Sequence, residues 1–124
     1  MKIRIAAAAA VLACTGWGVA SAHHSFATFD QHTTKTIVGT VKDFQWTNPH
    51  IWVDILVKSP QTGKDEVWSI EGGSPNGLRR TGWTRSIMKQ GDTIEVVIHP
   101  LKNGANGGSM MTAKVNGQPI GRRF

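Results

Sequence analysis

The residues best placed to do chemistry lie at Ala20-Ser21-Ala22-His23-His24, a small-residue processing site directly ahead of two histidines. Cleavage after Ala22 would start the mature chain with a histidine whose α-amine and Nδ1 can clamp a metal together. One further imidazole completes the T-shaped or square set of nitrogens that Cu(II) prefers. His24 offers a second arrangement through the amine, one deprotonated amide and its own ring. Of the remaining histidines, His50 follows the turn Asn48-Pro49 and His99 precedes Pro100 at the end of an alternating run. Both stand where a loop or strand end can meet an N-terminal arm. His23, His24, His50 and His99 are therefore the candidate copper ligands, and His32 is a weaker one. Against this stands the commoner role of a lone strand-end histidine, a hydrogen-bonded structural residue. Met110 and Met111 raise a Cu(I) alternative, but neighbouring strand residues point to opposite faces, so at least one belongs to the core.

The processing site completes a leader: Lys2 and Arg4 open it and Ile5 to Ala13 is its apolar run. That run is far shorter than the ~20 residues that span a bilayer, so no stable membrane insertion is expected after cleavage. Cys14 after Leu12 and Ala13 allows a lipoprotein variant that fits its own processing signal poorly. Loss of residues 1–22 leaves 102 of the 124 residues, removes the single cysteine, and takes the net charge from +6 to +4 with Lys2 and Arg4. A thiol-free chain has no disulfides, thiol catalysis or cysteine zinc sites. Arg79-Arg80 and Arg122-Arg123 are the only arginine doublets, too little for a phosphate-tracking stripe, and no nucleic-acid partner is expected.

Four of the five tryptophans, Trp46, Trp52, Trp68 and Trp83, remain after processing. A domain this small needs large buried side chains, so Trp46, Trp68 and Trp83 are expected inside. Trp52 lies on the face opposite Ile51, Val53 and Ile55. With Asn48 and Pro49 it is the candidate contact for a ligand or partner. The eight carboxylates make no convincing hydrolytic pair, although Glu71, just before Gly72-Gly73, is a possible supporting partner for a histidine. Ser25 lacks a triad, and Gly104 to Gly108 lacks the strand and lysine of a phosphate loop.

These side chains need a scaffold, and the alternation supplies one. Residues 23–35 read as an N-terminal arm with Phe26 and Phe29 lying against the body, and 36–124 as one domain. Thr36 to Thr47, Ile51 to Val57, Glu66 to Glu71, Thr93 to His99 and Met110 to Val115 alternate as strands. Gly39 predicts a bulge or bend in the first. Ser74-Pro75 caps a short helix, Thr84 to Lys89 suggests a second helical turn, Lys102 to Ser109 a loop, and Pro119 to Phe124 a tail. Three strands, a helical connection and two more strands predict an all-β, five-stranded Greek-key barrel like the oligonucleotide/oligosaccharide-binding (OB) fold, with a sandwich or open roll as the alternative.

His23-His24-Ser25-Phe26, Val41 to His50 with its Phe44-Gln45-Trp46-Thr47-Asn48-Pro49-His50 stretch, Ser74-Pro75-Asn76, Arg80-Thr81-Gly82-Trp83, Gly91-Asp92 and Pro100-Leu101 together resemble domain-of-unknown-function family 6152, short exported bacterial proteins. The resemblance implies a periplasmic single domain with a processed His-His-Ser start, and it brings no activity. The chain is also distantly similar in architecture to periplasmic copper-efflux barrel chaperones, which hold Cu(I) through His, Met and Trp. Their spaced Met-x-Met pair is replaced here by adjacent Met110 and Met111, which favours Cu(II). The expectation is a periplasmic, non-enzymatic binding protein that holds copper for sequestration or delivery to a periplasmic or membrane-associated protein. The alternatives are a metal-free interaction module using Trp52 and the first-hairpin loop and, last, a copper redox enzyme.

Overall fold

The computed structural model describes residues 27–121, so His23 and His24, the leader, Phe26 and the last three residues lie outside the described part. Strand β1 (Lys35–Gln45) is followed by β2 (Trp52–Lys58), β3 (Asp65–Glu71), helix α1 (Pro75–Arg79), β4 (Thr93–Pro100), β5 (Gly107–Val115) and a short β6 (Gln118–Ile120). The order across the sheet is β3-β2-β1-β4-β5-β6. A parallel pairing of β3 with β5, Ser69 to Glu71 against Gly107 to Ser109, closes the first five strands into a barrel. The architecture is an OB-like five-stranded barrel with β6 added to the free side of β5.

Alternation explains the barrel's inside and outside. Val53 and Ile55 on β2, Trp68 and Ile70 on β3, and Ile94, Val96 and Ile98 on β4 are buried, and their sequence neighbours point outward. Burying each such aliphatic side chain contributes about 1.5–3 kcal/mol. Trp46, Trp68 and Trp83 are buried in the same core. β1 serves both halves of the barrel, pairing through Lys35 to Thr40 with β4 and through Thr40 to Gln45 with β2. The register shift lies between Val41 and Asp43, not at Gly39. Gly39 is instead a point of close approach, where any Cβ would run into the Leu56 carbonyl oxygen.

Helix α1 starts as its sequence predicts: the Ser74 hydroxyl accepts from the Gly77 N–H at 3.2 Å and Pro75 takes the first turn. Thr84 to Lys89 forms turns and no second helix. Gly107 to Ser109, expected as loop, is strand, because the closing segment must fit where backbones crowd. A Cβ on Gly108 would sit 2.5 Å from the His99 carbonyl oxygen, and one on Gly107 would sit 2.8 Å from that of Ser69. Their glycine richness records close packing, not looseness. The expected tail holds β6, which Asn116 (φ 50) and Gly117 (φ 79) turn back onto β5.

Candidate functional site

Asn48, Pro49 and His50 form the loop between β1 and β2, with a cis Asn48-Pro49 bond and exposed Asn48 and Pro49 side chains. The loop is stitched to the segment after β3: Ile51 N–H donates to the Gly73 carbonyl at 3.1 Å, and Gly72 N–H donates to the Ile51 carbonyl at 2.9 Å. The His50 ring joins this seam. Its Nδ1 is 3.1 Å from the Gly72 carbonyl, and because a carbonyl can only accept, Nδ1 carries the proton. Nε2 then faces Glu71 Oε1 at 3.5 Å. Glu71 is thus beside a histidine, as its place before Gly72 suggested.

His99 sits at the other side of the closure. Its Nδ1 donates to the Thr33 carbonyl at 2.9 Å, which leaves Nε2 as a lone pair. The chain from 28 to 33 runs alongside. Phe29 is buried and bridges to Leu101, Asp30 N–H donates to the Pro100 carbonyl at 2.9 Å, and Lys102 N–H donates to the Thr28 carbonyl at 3.0 Å. The Asp30 carboxyl is held below its ordinary range, first by the Thr33 hydroxyl and then by the His32 N–H. The exposed His32 takes part through its backbone.

Barrel closure runs one outer row past both histidines, with His99 in it and the His50 ring beside its Glu71. Gln45 lies opposite Trp52, Trp52 opposite Glu71, Glu71 opposite Ser109, and Ser109 opposite His99. The row leaves β1 at Gln45 and returns to it beside Lys35, the stagger a small barrel requires. His50 and His99 therefore flank one Glu71–Ser109 pair, a proximity that strand periodicity could not reveal. Among the described residues, however, no three or more His, Cys, Asp or Glu side chains come together as a metal site. Met110 is buried in the core.

Trp52 is 38% exposed, whereas Trp46, Trp68 and Trp83 are each 8% exposed or less. Beyond it along β2 the outward positions form two further rows in succession, Asp43–Asp54–Ser69 and then Thr40–Leu56–Val67. Sequence reasoning missed this grid, because it depends on a register set by the bulge in β1. A groove of about 180 Å³ lined by Val38, Ile94, Glu95 and Lys114 lies on another wall and is small for a substrate cleft, typically ~300 Å³ or more.

No curated protein matches the chain. A solved structure similar to it is the mitochondrial single-stranded DNA binding protein Rim1 of S. cerevisiae, at 13% identity and a TM-score of 0.50 over 67% of this chain and 92% of that one. At that identity the likeness concerns the barrel alone. Residues 9–111, spanning the signature stretches around His23, His50 and Trp83, match the family of unknown function DUF6152, and the chain belongs to that family.

Proposed function

We propose that this chain is a periplasmic, non-enzymatic binding protein that holds copper at its processed N-terminus, with His23 as the bidentate clamp and His24, His50 or His99 completing the nitrogens. The observation that carries the reading is the state of His99. A ring that donates from Nδ1 to a backbone carbonyl and keeps an Nε2 lone pair has the arrangement usual for metal-ligating histidines. The chain at Thr28 is fastened to Lys102 close by, and the residues back to His23 reach about 17 Å when extended. Sequestration or delivery to a periplasmic or membrane-associated protein follows better than oxidation chemistry, since a barrel this small leaves little room for a substrate cleft.

Cu(II) titration of the processed protein, and of a form with one alanine before His23, tests this. The processed form should bind one Cu(II) with nitrogen hyperfine structure in its EPR spectrum. The extended form should lose roughly a hundredfold in affinity, and His99→Ala about tenfold. Equal, weak binding in both forms rejects copper.

A second reading is favoured by Trp52, the one exposed tryptophan of the described residues: a metal-free module that docks a protein segment or extended ligand against Trp52, Asn48 and Pro49. Rim1 is a DNA binding protein, but the face around Trp52 here carries carboxylates. A nucleic-acid partner is therefore not proposed.

A further inference from the structure

We propose that the outer face of β1, β2 and β3 is a docking surface for a lysine- and arginine-rich segment of a partner protein. The inference rests on the second reading above and names the chemistry of its occupant. Three observations support it. The face exposes apolar area that no described residue covers: Trp52 at 38%, and, across the Asp54–Ser69 row from it, Val67 at 40% opposite the half-buried Leu56. It also concentrates negative charge in a chain whose net charge is +6, since Asp43, Asp54, Asp65 and Glu71 all lie on it. The exposed lysines of these strands are Lys35, which lies over the Trp68 ring on the part of β1 that pairs with β4, Lys42, the extra residue of the bulge beside Asp43, and Lys58, bound to Asp65 at 2.8 Å.

The third observation is the register. Asp43 and Asp54 are direct cross-strand partners, an arrangement of like charges that destabilises a sheet. Among the described residues neither is in an ion pair. Asp43 accepts from Gln45 Nε2 at 3.0 Å and Asp54 from the Ser69 hydroxyl at 2.6 Å, so neutral donors hold both carboxylates in place without cancelling their charge. An extended cationic segment laid over this grid sets an ammonium or guanidinium between the two carboxylates, its stem on Leu56 and Val67, and a second cation over the Trp52 ring.

The test uses processed full-length protein with three probes, an oligo-lysine peptide, an oligo-glutamate peptide and an oligothymidylate, followed by backbone NMR shifts and tryptophan fluorescence. Oligo-lysine should bind, weakening as salt rises, with the largest shifts at Asp43, Trp52, Asp54 and Val67. Trp52→Ala and the pair Asp43→Asn/Asp54→Asn should each lower affinity about tenfold. Glu95→Gln on the opposite wall should leave it unchanged. Asp43→Asn should also raise Tm, which shows that lost binding is not lost folding. Failure of oligo-lysine to bind, or equal weakening by Glu95→Gln, overturns the proposal. If Trp52→Ala weakens binding of oligothymidylate while the aspartate pair does nothing to oligo-lysine, the docking surface stands and its cationic occupant is wrong. A concentration-dependent dimer with interface shifts at Trp52 overturns it in favour of a second copy of this chain.

Discussion

Two walls of the same barrel treat charge in opposite ways. On the β4–β5 wall, Glu95 faces Lys114 in register and the two are joined at 3.1 Å. On the β1–β2 wall, Asp43 faces Asp54 with no cation between them. Both are direct cross-strand partners, Glu95–Lys114 in a regular stretch and Asp43–Asp54 beside the bulge of β1, and their side chains differ in charge. The first wall is arranged as stability alone would have it. The second forgoes a few tenths of a kcal/mol up to about 1 kcal/mol and sits beside the exposed Trp52, which marks it as the wall with an external task.

The comparison depends on closure, and the strongest way to break it is Gly108→Val. Its side chain has no room against the His99 carbonyl and Ile98, so outright failure to fold, with no native baseline in urea denaturation, is expected. Next come the tryptophans. Trp46→Ala should cost about 3–5 kcal/mol, whereas Trp52→Ala should change stability by less than about 0.5 kcal/mol. Similar losses in both would show that Trp52 is structural and that the walls do not differ in purpose.

Charge exchanges sharpen the contrast at a smaller scale. Asp43→Lys should stabilise by about 0.5–1 kcal/mol, and Lys114→Glu should destabilise by a similar amount. If both changes prove neutral, register pairing does not govern either wall. The smallest effect is acid sensitivity. Asp92 is held below its ordinary value of 3.8, first by the Lys89 N–H and then by Asn116 and the Lys89 ammonium. A carboxyl with a depressed folded value stabilises the fold above about pH 4 and loses that contribution as pH falls through the folded value. Asp92→Asn should therefore flatten the acid limb of a Tm-against-pH curve and leave the neutral plateau shape unchanged.

Much of the scaffold was legible in the chain. The β2 and β4 runs alternate because one face of each must be buried, and Ser74-Pro75 marks a helix start because serine accepts the N–H that proline's neighbours leave exposed. The exposure of Trp52 followed from the same alternation, and the burial of Trp46, Trp68 and Trp83 from the need of a small domain for large buried side chains. Gly107 and Gly108 misled, since a glycine run has one appearance whether it is a loop or a crowded crossing of strands. Thr84 to Lys89 misled for a related reason: a few residues of helical spacing cannot nucleate a helix against local turns.

The five barrel strands, the helix cap and the outward placement of Trp52 were determined by local sequence, because they depend on a strand's own side-chain period or on a cap's own hydrogen bond. The meeting of β3 with β5, the placement of His50 and His99 on either side of Glu71 and Ser109, and the confrontation of Asp43 with Asp54 were decided only by the tertiary structure. Each depends on register between segments far apart in the chain. Bulges in β1, between Val41 and Asp43, and in the β4–β5 pair, at Val97 and Ile98, help to set that register, and a period read along one strand does not say which residue of another strand it meets.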